Sequence, residues 1–127
     1  MGNDGQANQL FKNLGTGGAA FELVTTTPID DATDSTFALA WGDFNGDHLV
    51  DLIVGNGAQA NQLFQNRGGG DFFQRTDTTV DDASDSDYTR ALAWADCASK
   101  SADSVVELAR EPHIHTVCAS KHPMSTD

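Results

Sequence analysis

The chain has 127 residues, enough for one ordinary domain, with a hydrophobic share of 39%, twelve glycines and a net charge of −12. Low apolar content with abundant glycine suits many short strands joined by tight turns better than a helical bundle. The acidic balance repels phosphate and so argues against nucleic acid, no apolar run is long enough to span a bilayer, and Met1 to Gly5 lacks the basic and apolar regions of a signal peptide.

Read from the N-terminus, the chain repeats itself. Gly2-Asn3 returns as Gly55-Asn56, and Gln6-Ala7-Asn8-Gln9-Leu10-Phe11 returns as Gln59-Ala60-Asn61-Gln62-Leu63-Phe64. Asn13, Gly15 and Gly17 return as Asn66, Gly68 and Gly70. Asp30 to Ser35 returns as Asp81 to Ser86, and Ala38-Leu39-Ala40-Trp41 returns as Ala91-Leu92-Ala93-Trp94, with Asp43 matched by Asp96. The offset is 53 residues at both ends and 51 in the middle, so a two-residue insertion or deletion lies within a loop.

Each unit reads as four short strands. Phe37 to Trp41 alternates large and small side chains, with Phe37, Leu39 and Trp41 on one face and Ala38 and Ala40 on the other. The small face is expected to let a neighbouring sheet approach closely. The second strand is expected at Leu49 to Val54, the third at Asn61 to Asn66, and the fourth begins at Phe72-Phe73. Asn45-Gly46, Asn56-Gly57 and Gly68-Gly69-Gly70 supply the positive φ angles of tight turns. Four strands at a period of about 40–50 residues is the pattern of a β-propeller blade. The expected fold is thus all-β, with about two blades in residues 1–96. A closed propeller takes about four to eight blades, so further sequence or association between copies is expected to complete it.

Residues 97–127 leave the repeat and form a tail. Cys97-Ala98-Ser99-Lys100 stands where the next loop is due. Ser104 to Arg110 fits a short helix, with Ser104 and Glu107 as a capping box and Pro112 as the stop; the rest reads as a loose end. Cys97 and Cys118 allow one disulfide or two thiols, according to compartment. Cys97, His113, His115, Cys118 and His122 are zinc-type ligands, but their spacing matches no finger pattern.

The chemical motif is Asp43-Phe44-Asn45-Gly46-Asp47-His48-Leu49-Val50-Asp51. Asp43, Asn45, Asp47 and Asp51 place side-chain oxygens at positions one, three, five and nine, and the Leu49 carbonyl fills position seven. Ca²⁺ takes about six to eight oxygen ligands, which a tight loop of this kind wraps around one point. An EF-hand wants Gly at position six and Glu at position twelve, where this loop has His48 and Val54. A plain acidic hairpin is the other reading, because Asp, Asn and Gly are ordinary turn residues. Asp30, Asp31 and Asp34, with Asp81, Asp82, Asp85 and Asp87, read as solvated loops. Trp41 and Trp94 read as packing residues between blades.

This loop, followed by Asn61-Gln62-Leu63-Phe64-Gln65-Asn66, glycines and Phe72-Phe73, resembles the FG-GAP or VCBS repeat of integrin-α-like propellers, in its ASPIC-type version. The resemblance covers residues 2–96. It implies an extracellular binding or adhesion module whose structural Ca²⁺ sits between the first two strands of a blade and whose loops face a protein or carbohydrate partner. His48 departs from it, standing where the family usually has Gly, and the loop is complete only once. Nothing in the chain reads as catalysis: there is no nucleophile elbow, His-Glu-x-x-His or phosphate loop. Two further classes stay open, a self-assembling homo-oligomer closed by pairing between chains as a ring or fibre, and a fragment of a larger propeller enzyme.

Overall fold

The computed structural model describes residues 1–15, 17–18, 20–30, 34–78, 80, 88–96, 106–111 and 114–119. Its centre is a four-stranded antiparallel meander of β3 (Thr36–Gly42), β4 (Asp51–Asn56), β5 (Gln62–Asn66) and β6 (Phe72–Arg75), paired in chain order. Before it, β1 (Leu10–Asn13) and β2 (Phe21–Val24) form an antiparallel pair, followed by a single 3-10 turn at Pro28–Asp30. After it, β7 (Ala91–Asp96), β8 (Val106–Glu111) and β9 (Ile114–Ala119) form a three-stranded sheet in the order β7-β9-β8. The protein is all-β.

The four expected strands of the complete unit are present, with shifted ends. The second starts at Asp51, not Leu49, because Leu49 and Val50 belong to the preceding loop. There the Leu49 N–H donates to Asp47 Oδ1 (2.8 Å) and the Val50 carbonyl accepts from Asn66 Nδ2 (3.1 Å). Every residue of β4 is buried, as a strand covered on both faces must be. Leu52 and Val54 pack with Ile29, Phe64 and Phe72 on one face, while Ile53 packs with Phe44, Leu63 and Val80 on the other. The turn after β4 differs from expectation: Ala58, not Gly57, takes the positive φ, at 56°. Gly57 is instead where the rings of Phe37 and Tyr88 press on the backbone.

The tail also departs from the expected helix. Residues 106–111 are strand β8, paired antiparallel with β9, and β9 runs parallel to β7. A seven-residue helix is too short to stand without tertiary support. Ile114, Thr116 and Val117 are β-formers that offer residues 106–111 a strand partner instead. The loose end expected from Cys97 onward is thus in part a sheet that shares β7 with the repeat. Cys97, Ser104, Pro112, His113 and His122 lie outside the described residues, as do Asp31, Asp81, Asp82, Asp85 and Asp87.

The same hydrogen bonds recur at both copies of the repeated asparagines. The Asn3 N–H donates to Asn8 Oδ1 and the Asn56 N–H to Asn61 Oδ1, both at 2.9 Å. Asn3 Nδ2 donates to the Ala7 carbonyl (2.6 Å) and Asn56 Nδ2 to that of Ala60 (2.9 Å). The Gly15 and Gly68 N–H groups donate to Asn13 and Asn66 Oδ1 (2.9 and 2.8 Å). Each copy also receives the strand that follows it, since the Thr36 N–H donates to the Asn3 carbonyl (2.9 Å) and the Thr89 N–H to that of Asn56 (3.0 Å). The two bonds of the Thr36 hydroxyl are not repeated at Thr89. The Thr36 hydroxyl accepts from Asn8 Nδ2 (2.9 Å) and bonds Asn56 Oδ1 across the β3-β4 pair (3.1 Å). The Thr89 hydroxyl is buried without a partner, and the residue 53 places after Asn56 is Ala109, which has no amide to offer.

β7 lies against the small face of β3. Leu92 and Trp94 pack with Ala40 on the Phe44-Ile53-Leu63-Val80 cluster. The close approach expected of that face is therefore realised, and it depends on Gly42. A Cβ there would lie 2.7 Å from Cγ, Cδ1 and Nε1 of Trp94. Gly42→Ala is expected to displace the indole and cost about 1–3 kcal/mol, the usual range for overpacking a tight contact. Denaturant unfolding followed by tryptophan fluorescence checks this, and an unchanged midpoint would mean that the contact is loose.

Candidate metal centre

The loop from Asp43 to Val50 joins β3 to β4, where the antiparallel register brings Gly42 opposite Asp51. Strands flank it on both sides, which removes the EF-hand reading, since that motif needs helices. Its shape is held by its own side chains. Asp43 Oδ1 accepts the Gly46 and Asp47 N–H groups (2.8 and 3.2 Å), and Oδ2 accepts the His48 N–H (2.8 Å). Asn45 Oδ1 accepts the Asp47 N–H (3.2 Å), while Asn45 Nδ2 donates to Asp47 Oδ2 (3.0 Å). Two residues take left-handed backbone angles, Gly46 (φ 75°) and His48 (φ 68°). The second is the position where a glycine is missing from the resembled motif. A side chain in that region costs about 1–2 kcal/mol, which the three bonds to Asp43 offset.

Asp51 is set apart from the other carboxylates. It is fully buried, Oδ2 accepting the Phe44 N–H (3.0 Å) and Oδ1 the Asn66 N–H (2.7 Å). It thus ties the start of the loop to the end of β5. Burial pushes its pKa from 3.8 up to about 6, against the pull of these two hydrogen bonds, and the charges of Asp47 and Asp43 push the same way.

All five expected ligand residues therefore lie in one tight hairpin. Their donor set is oxygen only, carboxylates from Asp43, Asp47 and Asp51, an amide from Asn45 and a carbonyl from Leu49, which suits a hard divalent cation. In this arrangement the carboxylates spend oxygens on loop N–H groups, and among the described residues no group of three or more His, Cys, Asp or Glu side chains is gathered as a metal centre. An ionised carboxylate has about four lone-pair positions, so an N–H bond and a cation contact are compatible on the same group.

Two residues important to the loop were not singled out by sequence. Phe44 is fully buried in the cluster of Ile53, Leu63 and Val80, and pins the loop to the core. Asn66 reaches the loop through its N–H and its side chain. Its recurrence as the counterpart of Asn13 was a usable signal. Of the tryptophans, Trp94 packs as expected, whereas Trp41 stays 49% exposed and meets Phe72 edge-on, with ring centroids 6.2 Å apart. Of the zinc-type residues, only the backbones of His115 and Cys118, in β9, are described. Comparison with protein-family models, with curated proteins and with solved structures finds no match to this chain.

Proposed function

We propose that the chain is a calcium-binding β-propeller repeat module of the FG-GAP/VCBS type, acting outside the cell in binding or adhesion and not in catalysis. The observation that carries this reading is the Asp43–Asp51 hairpin, with its all-oxygen donor set, two left-handed residues and a buried Phe44 anchor. The ion's part is structural. It would neutralise Asp43, Asp47 and Asp51, whose mutual repulsion otherwise opposes the hairpin, and so pin β3 to β4. The four-stranded meander is the size of one blade, and the asparagine bonds shared by the two copies fit successive blades. Partners of such a module are proteins or carbohydrates held by loops at one rim. Among the described residues no helix is long and apolar enough to cross a membrane.

Calcium is expected to raise the unfolding temperature, by an amount equivalent to about 2.7 kcal/mol when its free concentration is a hundred times the Kd. Asp47→Ala is expected to abolish the increment. The variant also loses the bonds to Leu49 and Asn45, so its stability in chelator falls somewhat. The discriminating quantity is the difference between calcium and chelator for each protein. An equal difference in wild type and variant would sink the calcium reading.

A further inference from the structure

The hairpin of β1 and β2 is built like the hairpin of β5 and β6. Asn13 pairs with Phe21 as Asn66 pairs with Phe72. The Leu14 N–H donates to the Ala20 carbonyl (3.1 Å) as the Arg67 N–H does to that of Asp71 (2.8 Å). What lies beyond the hairpin differs. β5 carries β4 on its other edge, with Ile53 opposite Leu63 and Val54 opposite Gln62. Beside β1 the place of Val54 is held by Met1, which exchanges backbone bonds with Gln9. Among the described residues no strand other than β2 pairs with β1. Its other edge is open from Leu10 to Asn13.

The side chains that hold β4 are duplicated as well. Phe44 and Ile53 are buried with Leu63 and Val80, and Leu92 and Trp94 pack against them. The same positions one repeat earlier are Leu10, Ile29, Leu39 and Trp41. These four residues line one cavity of about 200 Å³, with Met1 and Leu52 among its other walls. Its frame is set as in the filled copy. A Cβ on Gly2 would lie 2.7 Å from Thr36 Cγ2 and 3.5 Å from Leu39 Cδ1, and one on Gly55 would lie 2.6 Å from Thr89 Cγ2 and 3.2 Å from Leu92 Cδ1. The described residues supply these walls but no counterpart of Phe44 or Ile53. Leu39 and Trp41 are accordingly 38% and 49% exposed, whereas Leu92 and Trp94 are partly buried.

We infer that the open edge of β1 and this cavity bind an extended segment of a partner polypeptide, antiparallel to β1, with an aliphatic side chain opposite Leu10 and a phenylalanine in the cavity. Main-chain pairing on an open strand edge supplies affinity, and pockets for the side chains supply selectivity. The occupant's chemistry is given by the filled copy in the same chain, where β4 and the loop before it seat Ile53 and Phe44 on β5. An aspartate at the place of Asp51 completes the match. It accepts the N–H of the exposed Asn13, as Asp51 accepts that of Asn66 at 2.7 Å. A folded second copy is not the occupant, because its own Phe44 and Ile53 are 0% and 1% exposed and already engaged. The inference rests on the repeat and not on the metal reading.

The test is titration of the chain with a synthetic peptide of the sequence Gly42 to Ile53, which stops short of the place held by Met1 and contains no tryptophan. Trp41 reports the binding, its emission expected to shift to the blue and saturate as the half-exposed indole is covered. Titrations in calcium and in chelator keep the result apart from the metal reading, and saturation in either supports the inference. A peptide carrying Phe44→Ala and Ile53→Ala is expected to bind at least about tenfold more weakly, having lost both buried anchors. Leu39→Asp in the protein, which spoils a wall of the cavity, is expected to abolish binding. Circular dichroism establishes that this variant is folded, and the two peptides on wild type decide the question if it is not. No saturable shift in either buffer overturns the inference. So does undiminished binding to folded Leu39→Asp, because the peptide would then be displacing β4 from β5. A wild type that dimerises alone and loses the dimer in Leu39→Asp also overturns it, because a second copy would then fill the cavity.

Discussion

Phe44→Ala is expected to lower unfolding stability by about 3–5 kcal/mol, the range for emptying a buried phenylalanine site. The ring is fully buried among Ile53, Leu63 and Val80, with the Arg75 guanidinium 5.6 Å from its centroid. Truncation opens a cavity under both the sheet and the loop. Neighbours cannot fill it cheaply, because Ile53 and Leu63 are fixed by the β4-β5 register. The loop suffers as well, since Phe44 is the residue through which the Asp43–Asp51 hairpin grips the core. The calcium increment is therefore expected to shrink along with stability. Phe44→Leu refills most of the volume and is expected to cost about 1–2 kcal/mol. Phe73→Ala, on an exposed ring that Arg67 covers at 4.1 Å, is expected to stay within about 1 kcal/mol of wild type. Denaturant midpoints of the three variants check the order. A Phe44→Ala loss no larger than that of Phe73→Ala would show that the loop is not anchored through this ring.

In the presence of chelator, stability is expected to fall by up to about 3 kcal/mol as pH rises from about 4 to about 7, through Asp51 alone. Its pKa is 3.8 in the unfolded chain and about 6 in the folded one, raised first by burial. The folded chain therefore binds more protons than the unfolded chain between these values, and a state that binds more protons gains stability as pH falls. The contribution is fully present below pH 3.8 and is lost as pH rises through about 6. Asp51→Asn has no such titration, so the gap between wild type and this variant should narrow with rising pH. The variant also turns an amide towards the Phe44 or Asn66 N–H, which leaves that donor unsatisfied and costs about 1–3 kcal/mol at every pH. A gap that does not change with pH would mean that water reaches the Asp51 carboxylate.

Much of the local structure was legible in the sequence. The alternation in Phe37 to Trp41, the Asn-Gly turns and the apolar run through Val54 predict strands and hairpins from neighbouring residues alone, and the meander from β3 to β6 has them. The loop was legible for the same reason, since its five ligand-type residues span only nine positions. Its left-handed sixth residue follows from the motif, and His48 takes that angle at 68°.

What sequence did not decide was which groups meet across distance. That β4 begins at Asp51 depends on Asn66, fifteen residues away, bonding Asp51 and Val50. That residues 106–111 form a strand and not a helix depends on pairing with 114–119, because a short segment takes the conformation its neighbour can hydrogen-bond. The burial of Asp51 and Phe44, and hence the raised carboxyl pKa and the loop's anchor, arise only when β5 pairs with β4 and brings Asn66 to Asp51 and Leu63 to Phe44. The alternation marked both faces of Phe37 to Trp41 and the small one as the face of close approach, yet only packing determined that the large face would stay about half exposed. Periodicity belongs to a strand by itself, whereas burial belongs to whatever lies across from it.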